Sequence, residues 1–204
     1  MFMDFQEEYG MMVNGRLLGV SLAALTVGFW FLTAAGTAAQ DSDLKGRVNK
    51  IADALAKKDN ATAEKDAKVV AAKEEIEDVM HLFGKKTAKG GGFGVGTQPN
   101  SGIELKINEL GRRPIAKDKL AKETPDLVRM AYQAAAIGTI AHAKPPDKDE
   151  GKKKKSDWLK WSADMKGSAL KLADVIKGKD PQAIKTAATK LSSSCTACHE
   201  VFRD

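Results

Sequence analysis

The sequence predicts an all-α protein, built as a bundle of helices, and three observations carry this. Five segments between residues 43 and 202 place apolar residues at helical spacing. Aromatic residues make up only 6% of the chain while Ala and Lys are abundant, a composition that favours helices over sheets. No stretch reads as a convincing β-strand, and long amphipathic helices with short connections imply a bundle. With 43% apolar residues in a chain of 204, one cored domain is expected and global disorder is not.

The N-terminus is a separate object. After Arg16 comes "LLGVSLAALTVGFWFLTAAGTAA", an uncharged run from Leu17 to Ala39 that ends in small residues. Residues 1–39 read as a signal peptide with its cleavage site after Ala39. The run also approaches the roughly 20 residues that span a bilayer, so an uncleaved anchor over 17–39 is the other reading. The opening "MFMDFQEEYG" is acidic where a signal peptide carries positive charge, and a start at Met11 or Met12 would give a conventional beginning. Both readings place the folded part, 40–204, across a membrane, periplasmic or otherwise exported. Without residues 1–39, which hold one basic and three acidic residues, the formal charge rises from +6 to +8. A basic exported domain suits an acidic partner or an anionic membrane surface, while nucleic acid is not indicated. The run "KKKK" at 152–155 lies in a Pro/Asp/Gly-rich connection and reads as a solvated loop.

The helices follow in order. The first, 43–58, carries Leu44, Val48, Ile51 and Leu55 on one stripe. Asn60 caps the next, 61–84, with Val69, Ala72, Ile76, Met80 and Phe83 facing inward. The third opens at "TPDL", with Thr124 as cap and Pro125 in the first turn, and runs through Leu127, Met130, Ala134, Ile137 and Ala141 to "KPP". The fourth, 156–177, aligns Trp158, Trp161, Met165, Leu172 and Ile176. The fifth begins at Pro181 and aligns Ile184, Ala188, Leu191, Cys195, Cys198 and Phe202. The stretch 84–123 is too long for a bare connection and should carry some structure. Ser101 and Glu104 form a capping box there, followed by a short helical face of Ile103, Ile107 and Leu110 that Gly111 closes. The preceding "GGGFGVG" lacks the patterns of a phosphate loop and reads as a mobile or tightly turning loop.

Both cysteines of the chain stand in "LSSSCTACHEVFRD", its last residues. On a helix Cys195 and Cys198 share a face, and His199 lies four residues after Cys195. Two thiols so placed reach two vinyl groups and the adjacent imidazole reaches the iron, so C-x-x-C-H marks a covalently attached c-type haem. His199 is then the proximal ligand. Zinc would want four ligands, and only His81 and His142 remain, neither in a paired motif. A thioredoxin-like motif needs a βαβ setting. A disulfide would leave His199 unexplained and close too short a loop to stabilise much.

A C-x-x-C-H a few residues from the C-terminus, on the last helix of a bundle, resembles the class II c-type cytochromes, the cytochrome c′ family. "CTACHEVFR" is similar to that family's habit of an aromatic and an arginine shortly behind the motif, and the likeness extends over 155–204. The resemblance implies a four-helix bundle of cytochrome c′ type, with 43–58 as an extra N-terminal helix and 84–123 as a long Gly-rich insertion. It implies one covalent haem c, thioether roles for Cys195 and Cys198, the proximal role for His199, and a place near the haem for Arg203. Some members bind iron through a methionine on the first helix and others leave that side open; Met80 falls roughly where that methionine would be.

By itself Met80 is more commonly explained as a core methionine, packed inward with Ile76 and Phe83. His81 points away from the buried stripe, and His142 sits at a helix end where a cationic imidazole suits the dipole. Met130 and Met165 read as packing, and Trp158 and Trp161 as core or haem-edge residues. The implied function is single-electron transfer with a redox partner protein. Its alternative is binding of a gas such as nitric oxide or carbon monoxide at an open sixth position. Peroxidase chemistry would want a positioned distal His or Arg, and no constellation for acid–base or nucleophilic catalysis is visible, so an enzyme is not expected. A homodimer is left open.

Overall fold

The computed structural model describes residues 33–87, 90–97 and 100–203, so the leader reading of 1–39 falls largely outside the described residues. The chain divides into two units, Met1–Thr33 and Ala34–Asp204, and everything below concerns the second. Among the described residues seven helices follow in order: α1 (Thr33–Ala56), α2 (Asn60–Ala71), α3 (Ile76–His81), α4 (Ile103–Arg112), α5 (Lys117–Ala143), α6 (Lys155–Lys177) and α7 (Pro181–Phe202). A two-residue ladder, β1 (Lys86–Thr87) against β2 (Gly90–Gly91), lies between α3 and α4. It corrects the expectation of no strands, though only as a hairpin within the insertion.

The bundle is centred on α5, and composition explains why. Every residue from Met130 to Ala141 is buried, so this helix is covered all round rather than along one stripe. Ala134, Ala135, Ala136 and Gly138 keep its surface thin, and neighbours approach from several sides. A Cβ on Gly138 would sit 3.0 Å from the backbone N of Lys166 on α6. α5 packs on α6, α6 on α7, α7 on α4, and both α2 and α3 rest on α5. α1, the expected extra helix, is tied to α5 by Gln133 Nε2 donating to Asn49 Oδ1 at 2.8 Å and to α2 by the Lys50–Asp66 pair at 3.0 Å.

Tertiary contacts moved several boundaries. The expected helix 61–84 is two helices, because residues 72–75 turn out of the axis. The Glu74 carboxylate is buried against Arg47 of α1, and its carbonyl accepts from Lys144 Nζ at 2.7 Å. The inward face also differs. α2 buries Ala63, Ala67, Val70 and Ala71, while Val69 is 47% exposed and Ala72 is exposed. Small alanines allow a close approach to the alanine-rich α5, which a stripe chosen by side-chain size does not reveal. The cap is Asp59, whose carboxylate accepts from Thr62 N at 3.1 Å, rather than Asn60.

α5 begins at Lys117, well before the expected cap Thr124, and takes Pro125 into its interior. Such a proline costs about 3 kcal/mol against alanine. The first turns are held regardless by buried Leu120 and by ion pairs to α4, Lys119–Glu109 at 2.9 Å and Lys106–Glu123 at 2.9 Å. Burial alone would raise the Glu109 carboxyl, but hydrogen bonds from Lys119 and Lys106 outweigh it and lower it below the usual range. Thr124 instead donates to the Leu120 carbonyl at 2.6 Å.

Ser101 is not the cap of α4 either: its Oγ accepts from Val95 N at 2.9 Å, and Gly102 stands at the cap. The glycine run packs backbone on backbone, since a Cβ on Gly92 or Gly102 would lie 2.0 or 2.5 Å from the Gly84 carbonyl oxygen. Gly111 lies within α4, which continues to Arg112.

α7 starts as expected. Asp180 accepts from Gln182 N at 2.9 Å and Ala183 N at 3.2 Å, with Pro181 in the first turn. Asp180→Ala is expected to lower stability by about 1 kcal/mol while leaving the helical signal intact. A urea midpoint unchanged within error would show that this cap does not anchor α7.

Candidate haem-attachment site

The last turns of α7 place Cys195, Cys198 and His199 at one end of the bundle. The helix stays regular to Phe202, and Arg203 N closes it by donating to the His199 carbonyl at 3.1 Å. Cys195 and Cys198 are free thiols, both half-buried. Burial pushes Cys195 up to about 11, helped by Cys198 and by the Glu104 carboxylate, and burial alone pushes Cys198 up to about 11. Both are therefore protonated and unreactive as thiolates near neutrality. His199 is exposed, and its imidazole is held below the ordinary value by partial burial and then by the Arg203 charge, with Glu104 opposing. A neutral imidazole keeps a nitrogen lone pair free for a metal.

Aromatic rings back this end. Phe202 meets Trp158 edge-on at 5.0 Å between centroids and Trp161 at 5.9 Å, joining the start of α6 to the end of α7. Trp158 Nε1 also donates to the Ala141 carbonyl at 2.7 Å, which brings in the end of α5. Trp158 and Trp161 thus stand at the core edge beside the motif, as the sequence suggested.

The third flank comes from the insertion. Phe83 accepts from Glu104 N at 3.1 Å, so the end of α3 and the first turn of α4 lie together, with Glu104 near Cys195 and His199. Sequence reasoning had given Glu104 only a capping role, and nothing in the spacing of the two segments could have paired it with the motif. Met80, on α3, is half-buried against the core. His81 is exposed. His142 is engaged with α6: its Nδ1 lies 3.2 Å from the Leu159 carbonyl and 3.0 Å from Ser162 Oγ. His142 thereby links α5 to α6. Met130 and Met165 are buried packing residues. Arg203 is exposed beside His199.

A cleft of about 380 Å³ between α4 and α7 is lined by Asn108, Arg112, Thr189, Ser192 and Thr196, on a face of α7 turned away from the thiols. Its hydroxyls are spent on the helices, Ser192 on Asn108 and Thr189 on Gly111. Among the described residues no three His, Cys, Asp or Glu side chains converge on one point, which a structural zinc site would need. Two unbridged thiols one turn apart, a neutral imidazole directly behind them and an aromatic flank fit a covalently held haem.

The fold is a helical bundle, and its last helix carries the C-x-x-C-H donor set on one face. Residues 111–203, which take in the end of α4 and all of α5, α6 and α7, match the family model of cytochrome c′. Over that segment the chain is similar to cytochrome c′, a match that supports a c-type haem cytochrome, and the cofactor of that family is covalently attached haem c. No curated protein and no solved structure matches the chain.

Proposed function

We propose that this protein is an exported single-electron carrier that holds one haem c through thioether bonds at Cys195 and Cys198, with His199 as the proximal ligand. The carrying observation is the pair of free thiols on one face of α7 with the imidazole directly behind. When bound, the haem supplies a one-electron couple that needs no substrate bond to be made or broken. The chain's own part is to fix the imidazole, exclude water and set the surrounding charge. Trp158, Trp161 and Phe202 provide the apolar flank, while Glu104 and Arg203 place opposite charges near His199. Export rests on the uncharged run 17–39. Among the described residues no helix is long and apolar enough to cross a membrane.

Gas binding is the second reading, favoured by the break at 72–75. That break leaves Met80 on a six-residue helix in which only Val79 is fully buried, a short element poorly suited to holding a ligand rigidly. One experiment separates the two. If Met80 binds, the ferric protein shows the weak near-infrared band of sulfur ligation, and Met80→Ala removes it and creates carbon monoxide affinity. A high-spin wild type that binds carbon monoxide quickly would make gas binding the function. A low-spin spectrum unchanged in Met80→Ala would move the search to His81.

A further inference from the structure

The lysine run that reads as a plain solvated loop in sequence is placed by the fold beside the motif. The α5–α6 connection leaves α5 at Ala143 and enters α6 at Lys155, and Trp158, in the first turn of α6, stacks on Phe202 three residues after His199. Residues 144–160 hold seven lysines against four acidic residues.

Two of the four acidic groups, Asp149 and Glu150, hold the loop's shape. Asp149 accepts from Lys155 N at 2.8 Å and pairs with Lys154 at 3.7 Å, while Glu150 pairs with Lys148 at 3.0 Å. Glu150 and Lys153 exchange two backbone hydrogen bonds of 3.0 and 2.7 Å. Lys144 turns inward to Glu74 and Glu75. What faces solvent is a shaped basic knob with Lys152, Lys155 and Lys160 exposed. A flexible tail would smear this charge, whereas a tied loop presents it at one place.

From this placement we infer that the 148–160 face is the docking surface for a protein partner with an acidic surface, and that it orients the motif end of the bundle toward that partner. The inference rests on the electron-carrier reading and adds the chemistry of the partner to it. Complementary charge of this kind raises encounter rates and sets orientation more than it adds affinity.

Two variants of equal charge change test it in the holoprotein. Lys152→Glu with Lys155→Glu and Lys160→Glu alters the knob. Lys57→Glu with Lys65→Glu and Lys171→Glu alters exposed lysines elsewhere. Poly-L-glutamate is titrated into each and followed by backbone amide NMR, a readout that does not need the haem. Wild type and the second variant are expected to show shifts clustered at 144–160, and the knob variant to lose them. Oxidation of the ferrous proteins by hexacyanoferrate(III) at low salt is expected to slow roughly tenfold in the knob variant only, with the difference collapsing near 0.5 M salt.

Shifts spread over all lysine-bearing faces, or equal slowing in both variants, would overturn the inference with the haem reading intact. A chain without haem would sink the electron-carrier reading while the amide map still decided the docking face. Shifts at 144–160 with phosphatidylserine vesicles and none with poly-L-glutamate would make the surface a membrane contact and overturn the proposal.

Discussion

Cys195→Ala combined with Cys198→Ala is expected to abolish haem retention on a denaturing gel after acid–acetone extraction, against full retention in the parent. Each thiol supplies one bond, so either single variant keeps a weaker stain through the remaining thioether. Both side chains are only half-buried, and shortening them removes one sulfur atom each from the bundle end. The double variant should therefore keep the helical circular dichroism of the parent, which separates loss of attachment from loss of fold. A thiol titration supplies the second arm. The haem-free chain should present two free thiols on unfolding, consistent with the unbridged state of both, and the loaded chain none. Metal analysis that returned stoichiometric zinc and no iron would end the haem assignment.

Trp158→Ala carries the largest expected stability effect, a loss of about 3–5 kcal/mol by urea denaturation, in the range for deleting a buried aromatic side chain. The residue is 9% exposed and joins three helices: its own α6, α5 through the Ala141 carbonyl, and α7 through the Phe202 ring. Its removal leaves a cavity at the motif end and frees Phe202, so looser haem binding should accompany the lower midpoint. Trp158→Phe is the control. It keeps most of the ring packing, loses the indole hydrogen bond, and should cost about 1 kcal/mol. A midpoint shift for Trp158→Ala below that of Trp158→Phe would show that the stack with Phe202 contributes nothing to the bundle.

The donor set was legible because all of it lies within five residues of one helix. A three- and four-residue spacing fixes which side chains share a face wherever that helix is put. The stripes of α6 and α7 were legible for the same reason, and Leu172, Ile176, Ile184, Ala188 and Leu191 are all buried. The start of α5 was not, because Pro125 is a strong local stop signal and the ion pairs to α4 that carry the helix through it join segments distant in sequence. The break after Ala71 was hidden in the same way. Nothing in "AAKEEIED" interrupts a helix locally, and the turn is held by Arg47 and Lys144 from other elements.

Local spacing by itself determined the helical class, the helices α6 and α7 and the face that presents Cys195, Cys198 and His199, since each depends on residues within a turn or two of one another. Only the tertiary structure decided that Glu104 stands near the motif, that His142 is spent on α6, and that the lysine loop flanks the same end. Those placements depend on how separate helices lie against α5. That is set by close packing of small residues such as Gly138 and by long-range ion pairs, which leave no periodic mark in the sequence.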